Sequence, residues 1–110
     1  MDPTHIYEVI FLRAAHEYYL GMPPKHQVKA HAVIVRLSQL GPMLHRPHVD
    51  HVRGKLMELR CGGGRLEHRF LFFYADRRII LTHGFLKKRD AIPEGEIAYA
   101  ERCRLSYEAA

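Results

Sequence analysis

The sequence predicts an α+β fold with a twisted antiparallel sheet: an N-terminal strand, a helical hairpin, a three-stranded meander and a C-terminal helix. Two observations carry that expectation. Apolar residues recur at helical spacing in the first half and again near the end. Between those stretches lie three strand-like runs, separated by a glycine break and an Asp-Arg turn. A chain of 110 residues is expected to form one domain, residues 1–110, with a single core.

Ile6–Leu12 (IYEVIFL) is a β-prone run and the expected first strand. Ala14–Leu20 reads as a short helix ending at Gly21, ahead of Pro23-Pro24. Pro24 opens the next helix, because its missing N–H would be an orphan donor there anyway. From Pro24 to Leu40, Val28, Ala32 and Val35 together with Ala30, Val33, Leu37 and Leu40 make a broad apolar stripe, and Gly41-Pro42 stops it. Residues 43–54 read as a connector. Strands are expected at Lys55–Cys61, Leu66–Ala75 and Arg78–Leu86, with Gly62–Gly64 as a flexible loop and Asp76-Arg77 as a tight turn. Pro93–Tyr107 is the last helix, with Ile97, Ala100, Cys103 or Arg104, and Tyr107 on one face and Glu94 and Glu96 suiting the helix dipole.

Alternation sorts the strand side chains. Glu58 and Arg60 share a face, opposite Met57 and Leu59. Arg69 lies with Leu71 and Phe73, and His68 with Phe70, Phe72 and Tyr74. Ile79, Leu81, His83 and Phe85 are expected together.

Charge is unevenly distributed. Segment 53–90 holds ten Lys and Arg against four acids, a net charge of +6, while the whole chain carries +5. Basicity concentrated on one sheet points to a polyanion as partner. An apolar content of 47% with 26% charged residues is ordinary for a soluble globular protein. No apolar run approaches the ~20 residues of a membrane span. The first residues, MDPTHIYEVIFLR, lack a basic leader and a small-residue cleavage site, so no signal peptide is expected. Cys61 and Cys103 do not make a disulfide framework. The cytoplasm is therefore the expected compartment.

The series Glu58-Leu59-Arg60, a glycine-containing break, Arg69-Phe70, a strand ending THGFLKK (82–88) and then P-x-x-E-I-x-x-A (93–100) resembles the RelE/HigB superfamily of toxins, and most of all its phage-derived HigB-like branch. The hairpin ending LSQLGPML matches that layout too, so the resemblance spans essentially the whole chain. It implies a RelE-like fold and a toxin of a type II toxin–antitoxin system. The implied activity is a ribosome-dependent mRNA endoribonuclease, neutralised by a helix-turn-helix antitoxin of the HigA type. Relatives of the ParE branch share the fold and act on gyrase. A non-catalytic RNA-binding protein of phage origin is a further alternative.

Cutting RNA without a metal needs a base for the ribose 2′-hydroxyl, cations for the pentavalent phosphate and an acid for the leaving oxygen. Arginine suits the second task, because its fork engages two phosphate oxygens and stays charged. Arg60 and Arg69 match arginines of the family and are the expected phosphate ligands, although each can instead serve an ion pair, Arg60 with Glu58. Glu58 is expected to orient Arg60 rather than act as the base. His83 and Lys87, in the HGFLKK segment, are the candidates for proton handling, with His83 equally readable as structural. Lys88, Arg65 and His68 are expected to contact substrate, and Tyr74 to stack a base. His45, His48 and His51 have metal-like spacing around Asp50, but Pro47 argues against a helix that would converge them, and no metal or cofactor is expected. Gly62–Gly64 lacks the helix and Lys-Ser/Thr of a phosphate-binding loop.

Overall fold

The structure is a computed structural model and describes residues 6–63, 65–88 and 90–110. Strand β1 (Glu8–Phe11) leads into helices α1 (Arg13–Gly21) and α2 (Pro24–Leu40) and a single 3-10 turn (Gly41–Met43). Strands β2 (Val49–Arg53), β3 (Leu56–Gly63), β4 (Leu66–Ala75) and β5 (Arg78–Leu86) follow, and helix α3 (Glu94–Ala109) closes the chain. The strands form one sheet in the order β1-β5-β4-β3-β2. β2 through β5 pair antiparallel, whereas β1 runs parallel to β5 with Val9 beside Ile79 and Phe11 beside Leu81. The sheet is therefore mixed, because the helical hairpin carries the chain from one end of β1 across to the far edge before the meander begins. Gly64 of the expected loop and Arg89 at the end of the basic segment lie outside the described residues. None of the described helices is long and apolar enough to cross a membrane.

Strand β2 replaces the expected connector. Only one neighbour pairs with it, so two buried or half-buried valines, Val49 and Val52, suffice to hold it to the sheet. Its remaining residues are polar, as an edge strand tolerates.

The sheet buries both faces. Under α1 and α2 lie Leu59, Cys61, Phe70, Phe72, Ile79 and Leu81, joined by Ala30, Ile34 and Leu37 of α2. Under α3 lie Leu56, Leu71 and Phe85, with Ile97 and Ala100 of the helix. The stripe expected on α2 is correct in Ala30 and Leu37. Val28, however, is 70% exposed, and Ile34 supplies the third contact instead. Fully buried phenylalanines such as Phe70 and Phe72 contribute roughly 1.5–3 kcal/mol each.

One irregularity rearranges the faces. Leu71 pairs with His83 but Phe72 pairs with Leu81, so β5 carries one extra residue, Thr82. A bulge of this kind reverses the alternation beyond it. Ile79 and Leu81 pack under the helical hairpin, while Phe85 packs under α3. The expectation that Ile79, Leu81, His83 and Phe85 share a face is thereby corrected. The Thr82 hydroxyl lies 3.1 Å from the Leu71 carbonyl, so the bulge leaves it no unmet hydrogen bond.

Two glycines are needed where they stand. A Cβ on Gly84 would overlap the Tyr18 ring, so α1 approaches β5 only over a residue without a side chain. Gly41 ends α2 at φ +52°, ψ −129°, and a Cβ there would overlap the Tyr7 ring. We expect Gly41→Ala to destabilise the fold by about 1–3 kcal/mol in urea unfolding. Gly21→Ala, with open space around it, should shift stability by less than about 0.5 kcal/mol.

Candidate functional site

The bulge and the register of β3, β4 and β5 bring the charged residues of the sheet onto the α3 face. Glu58, Leu71 and His83 lie in one row across the strands, and Arg60, Arg69 and Phe85 in the next. The Lys87 amide donates to the Glu67 carbonyl at 2.9 Å and extends the pairing by one residue.

Glu58 is the centre of this face. It is 3% exposed and accepts a hydrogen bond at Oε1 from Arg60 Nε at 2.7 Å. Arg69 Nε lies 3.8 Å from the same oxygen. Arg69 is itself 5% exposed, donating from Nη2 to Glu67 Oε1 at 2.8 Å and from Nη1 to the His68 carbonyl at 3.2 Å. Arg60 reaches outward to Asp50 Oδ2 at 3.2 Å, and Arg46 holds the same oxygen at 3.0 Å. The hydrogen bond from Arg46, with the charges of Arg46 and Arg60, holds the Asp50 carboxyl below its ordinary value. Two polar atoms of this network, Glu58 Oε2 and Arg69 Nε, are buried with no hydrogen-bond partner among the described residues. Such atoms destabilise a fold unless a role requires them.

Beside the network is an open cleft of about 310 Å³ between the β2–β3 end of the sheet and the start of α3. Glu58, Arg60 and Asp50 line one wall, Lys87 another, and Arg53 and Glu94 form the rim. Arg53 grips Glu94 with two hydrogen bonds of 2.8 and 2.7 Å. Asp90 also lines the cleft, so its four acids, Asp50, Glu58, Asp90 and Glu94, slightly outnumber its cations Arg53, Arg60 and Lys87. The basicity visible in the sequence is not a bare cationic patch. It is a set of arginines already held by carboxylates, with Lys87 the cleft cation that has no ion-pair partner among the described residues.

Of the residues singled out from sequence, Arg60 and Lys87 meet at the cleft and Arg69 lies behind Arg60, buried. Lys88 is exposed just beyond β5, and Arg65 is exposed at the β3–β4 turn. His83 does not line the cleft. It is 7% exposed, with Nε2 3.1 Å from Glu96 Oε1 and Nδ1 3.0 Å from the Thr82 hydroxyl, so it ties α3 to the bulge. Burial lowers its pKa, and Glu96 opposes that shift. His68 and Tyr74 lie on the opposite face. His68 Nδ1 is 2.6 Å from the Tyr18 hydroxyl, and Nε2 is 3.0 Å from His26 Nδ1. Burial pushes Tyr18 up to about 12, so it keeps its proton within this chain of hydrogen bonds. Tyr74 packs edge-on against Tyr7 and Phe72, and burial pushes it also to about 12. Cys61 is a buried thiol pushed up to about 12 and is inert. His51 Nε2 bonds the Gly54 carbonyl at 2.8 Å, and among the described residues no three His, Cys, Asp or Glu side chains gather as a metal requires.

Sequence reasoning missed Arg46 and Asp50, and undervalued Glu58. The available signal was the pair Val49 and Val52 ahead of Gly54, which marks a strand and hence sets Asp50 beside Glu58.

A profile of the phage-derived Gp49-like proteins matches residues 17–104, from within α1 to within α3. The chain belongs to the phage-derived Gp49-like family. Among solved structures, that of the archaeal RelE–RelB complex from Pyrococcus horikoshii OT3 matches with a TM-score of 0.55 and 16% identity, covering 76% of this chain and 98% of that one. The Gp49-like protein thus has the RelE-like fold. No curated protein sequence matches it.

His68 and His83 give the Gp49-like protein a measurable signature. Burial lowers both pKa values, with His26 adding to the shift at His68. An unfolded histidine titrates near 6.5. As pH falls through that value the unfolded chain takes up protons that the folded chain refuses, so stability is lost on acidification. Urea unfolding midpoints should fall from about pH 7.5 to about pH 5.5. His68→Gln should flatten part of that slope.

Proposed function

We propose that the Gp49-like protein is the toxin of a type II toxin–antitoxin pair and acts as a ribosome-dependent mRNA endoribonuclease in the cytoplasm. The observation that carries this reading is the cleft in which an arginine, a lysine and a carboxylate with one unpartnered oxygen stand together. The fold supports it, being that of a chain solved as a RelE–RelB complex. The partner expected on the same ground is a small helix-turn-helix antitoxin of the HigA type.

In this reading a substrate phosphate draws Arg60 away from Glu58 into the cleft, because a phosphate offers two oxygens to the guanidinium fork. Arg60 withdrawn, the Glu58 carboxylate is uncovered and takes the proton of the ribose 2′-hydroxyl. The 2′-oxygen then attacks the adjacent phosphorus. Charge on the pentavalent phosphate is stabilised by Arg60 and Lys87. The bond to the 5′-oxygen breaks, and the Lys87 ammonium supplies the proton that the leaving oxygen needs, leaving a cyclic phosphate and a 5′-hydroxyl. Arg69 acts from behind, holding Glu58 in place; it is a positioning residue rather than a phosphate ligand. His83 acts through α3, not on substrate.

Purified protein added to a translation reaction should cut mRNA on ribosomes. Glu58→Gln should lower the cutting rate by roughly 100-fold or more, as loss of a general base does. Arg60→Ala and Lys87→Ala should lower it at every site. Arg69→Ala should lower stability together with rate, since it leaves a buried carboxylate less compensated. Intact mRNA alongside inhibited gyrase supercoiling would overturn the enzyme assignment in favour of a ParE-like target.

A further inference from the structure

We propose that the edge of the sheet at β2 carries a nucleotide subsite, so that an RNA strand seated in the cleft turns over this edge and places its next base on the opposite side. The inference rests on the proposed activity and adds where the substrate strand runs. A second pocket of about 250 Å³ lies across β2 from the cleft. Asp50 and His51 line both, so the two are continuous around the edge strand. The second pocket is smaller than the ~300 Å³ at which sites for drug-sized ligands begin. Its floor is apolar, with Leu44 and Met57, and one wall is the Tyr74 ring. Arg46 and His45 stand at its polar side. A small pocket whose lining combines Leu44, Met57 and the aromatic Tyr74 with an arginine suits a single base attached to a phosphate.

Asp50 links the two places. Its Oδ2 is held by Arg60 from the cleft and by Arg46 from the second pocket, at 3.2 and 3.0 Å. One carboxylate oxygen thereby holds a guanidinium group from each side of the edge, Arg60 lining the cleft and Arg46 the second pocket. Arg46 is 75% exposed in its side chain and is free to turn to a phosphate.

The test is equilibrium binding of a short fluorescein-labelled single-stranded oligouridine to the purified full chain over a salt series, with thiouridine photo-crosslinking of the same RNA. Arg46→Ala should weaken binding and reduce the salt slope by about 0.7, the value of one lost phosphate contact on a single strand. Tyr74→Leu should weaken binding roughly tenfold with the slope unchanged, and Tyr74→Phe should bind as the wild type does. Crosslinks should fall on residues 42–57 and on Tyr74. Wild-type binding by both Arg46→Ala and Tyr74→Leu would overturn the subsite, as would crosslinks on the exposed Lys25, Lys29 and Arg36 of α2. If Tyr74→Leu fails to fold, Arg46→Ala decides, because its side chain is exposed. Cutting of ribosome-bound mRNA is scored separately. Binding through the subsite without cutting removes the enzyme reading alone, and cutting with unaffected binding by the variants removes the subsite alone. Neither binding nor cutting removes both.

Discussion

A single buried carboxylate organises this protein. Glu58 sits in the middle of a sheet face with Arg60 at 2.7 Å and Arg69 at 3.8 Å from one oxygen, while its other oxygen has no hydrogen-bond partner among the described residues. Burying a charge is costly unless it is paired and hydrogen-bonded. Here the pairing is partial, so the arrangement is a poor choice for stability alone. Replacing the set by apolar residues of similar volume would satisfy the fold at least as well. That imbalance makes the α3 face readable as a site rather than as a second core.

The rest of the fold serves this face. The Thr82 bulge reverses the parity of β5 and brings Phe85 and His83 under α3, on the same side as Arg60 and Arg69. Without it, Lys87 would follow the opposite parity and leave the cleft. Edge strand β2 supplies Asp50, which holds Arg60 from outside as Glu58 holds it from inside. Helix α3 is secured by polar ties that include Arg53 to Glu94, His83 to Glu96 and Arg78 to the Tyr107 hydroxyl, and by an apolar contact through Ile97 and Ala100. The opposite face carries the larger core and the α1–α2 hairpin, where Gly84 lets Tyr18 close over β5 and reach His68.

The distribution of charge shows how far local pattern reaches. Segment 53–90 reads as strongly basic, yet the cleft it builds is nearly balanced. Asp50 and Glu94 lie outside segment 53–90, and they reach Arg60 and Arg53 only through the β2–β3 pairing and the docking of α3. A count along the sequence sees the cations of a meander but not the acids folded against them.

Sequence by itself determined the order of the three helices and of every strand except β2, the two-residue turn at Asp76-Arg77 and the two faces of β3 and β4, because those follow from propensity and strict alternation. The RelE-like resemblance was also legible there, carried in part by the ELR and THGFLKK segments. Tertiary structure decided what alternation cannot express. An inserted residue in β5 moved His83 and Phe85 to the other face. A polar edge strand with only one pairing neighbour had too weak a pattern to stand out from a connector. Arg69 is buried behind Arg60, and His68 turned to Tyr18 and His26, because burial is set by which helix covers which face. The site is a product of register, and register is settled only when the strands meet.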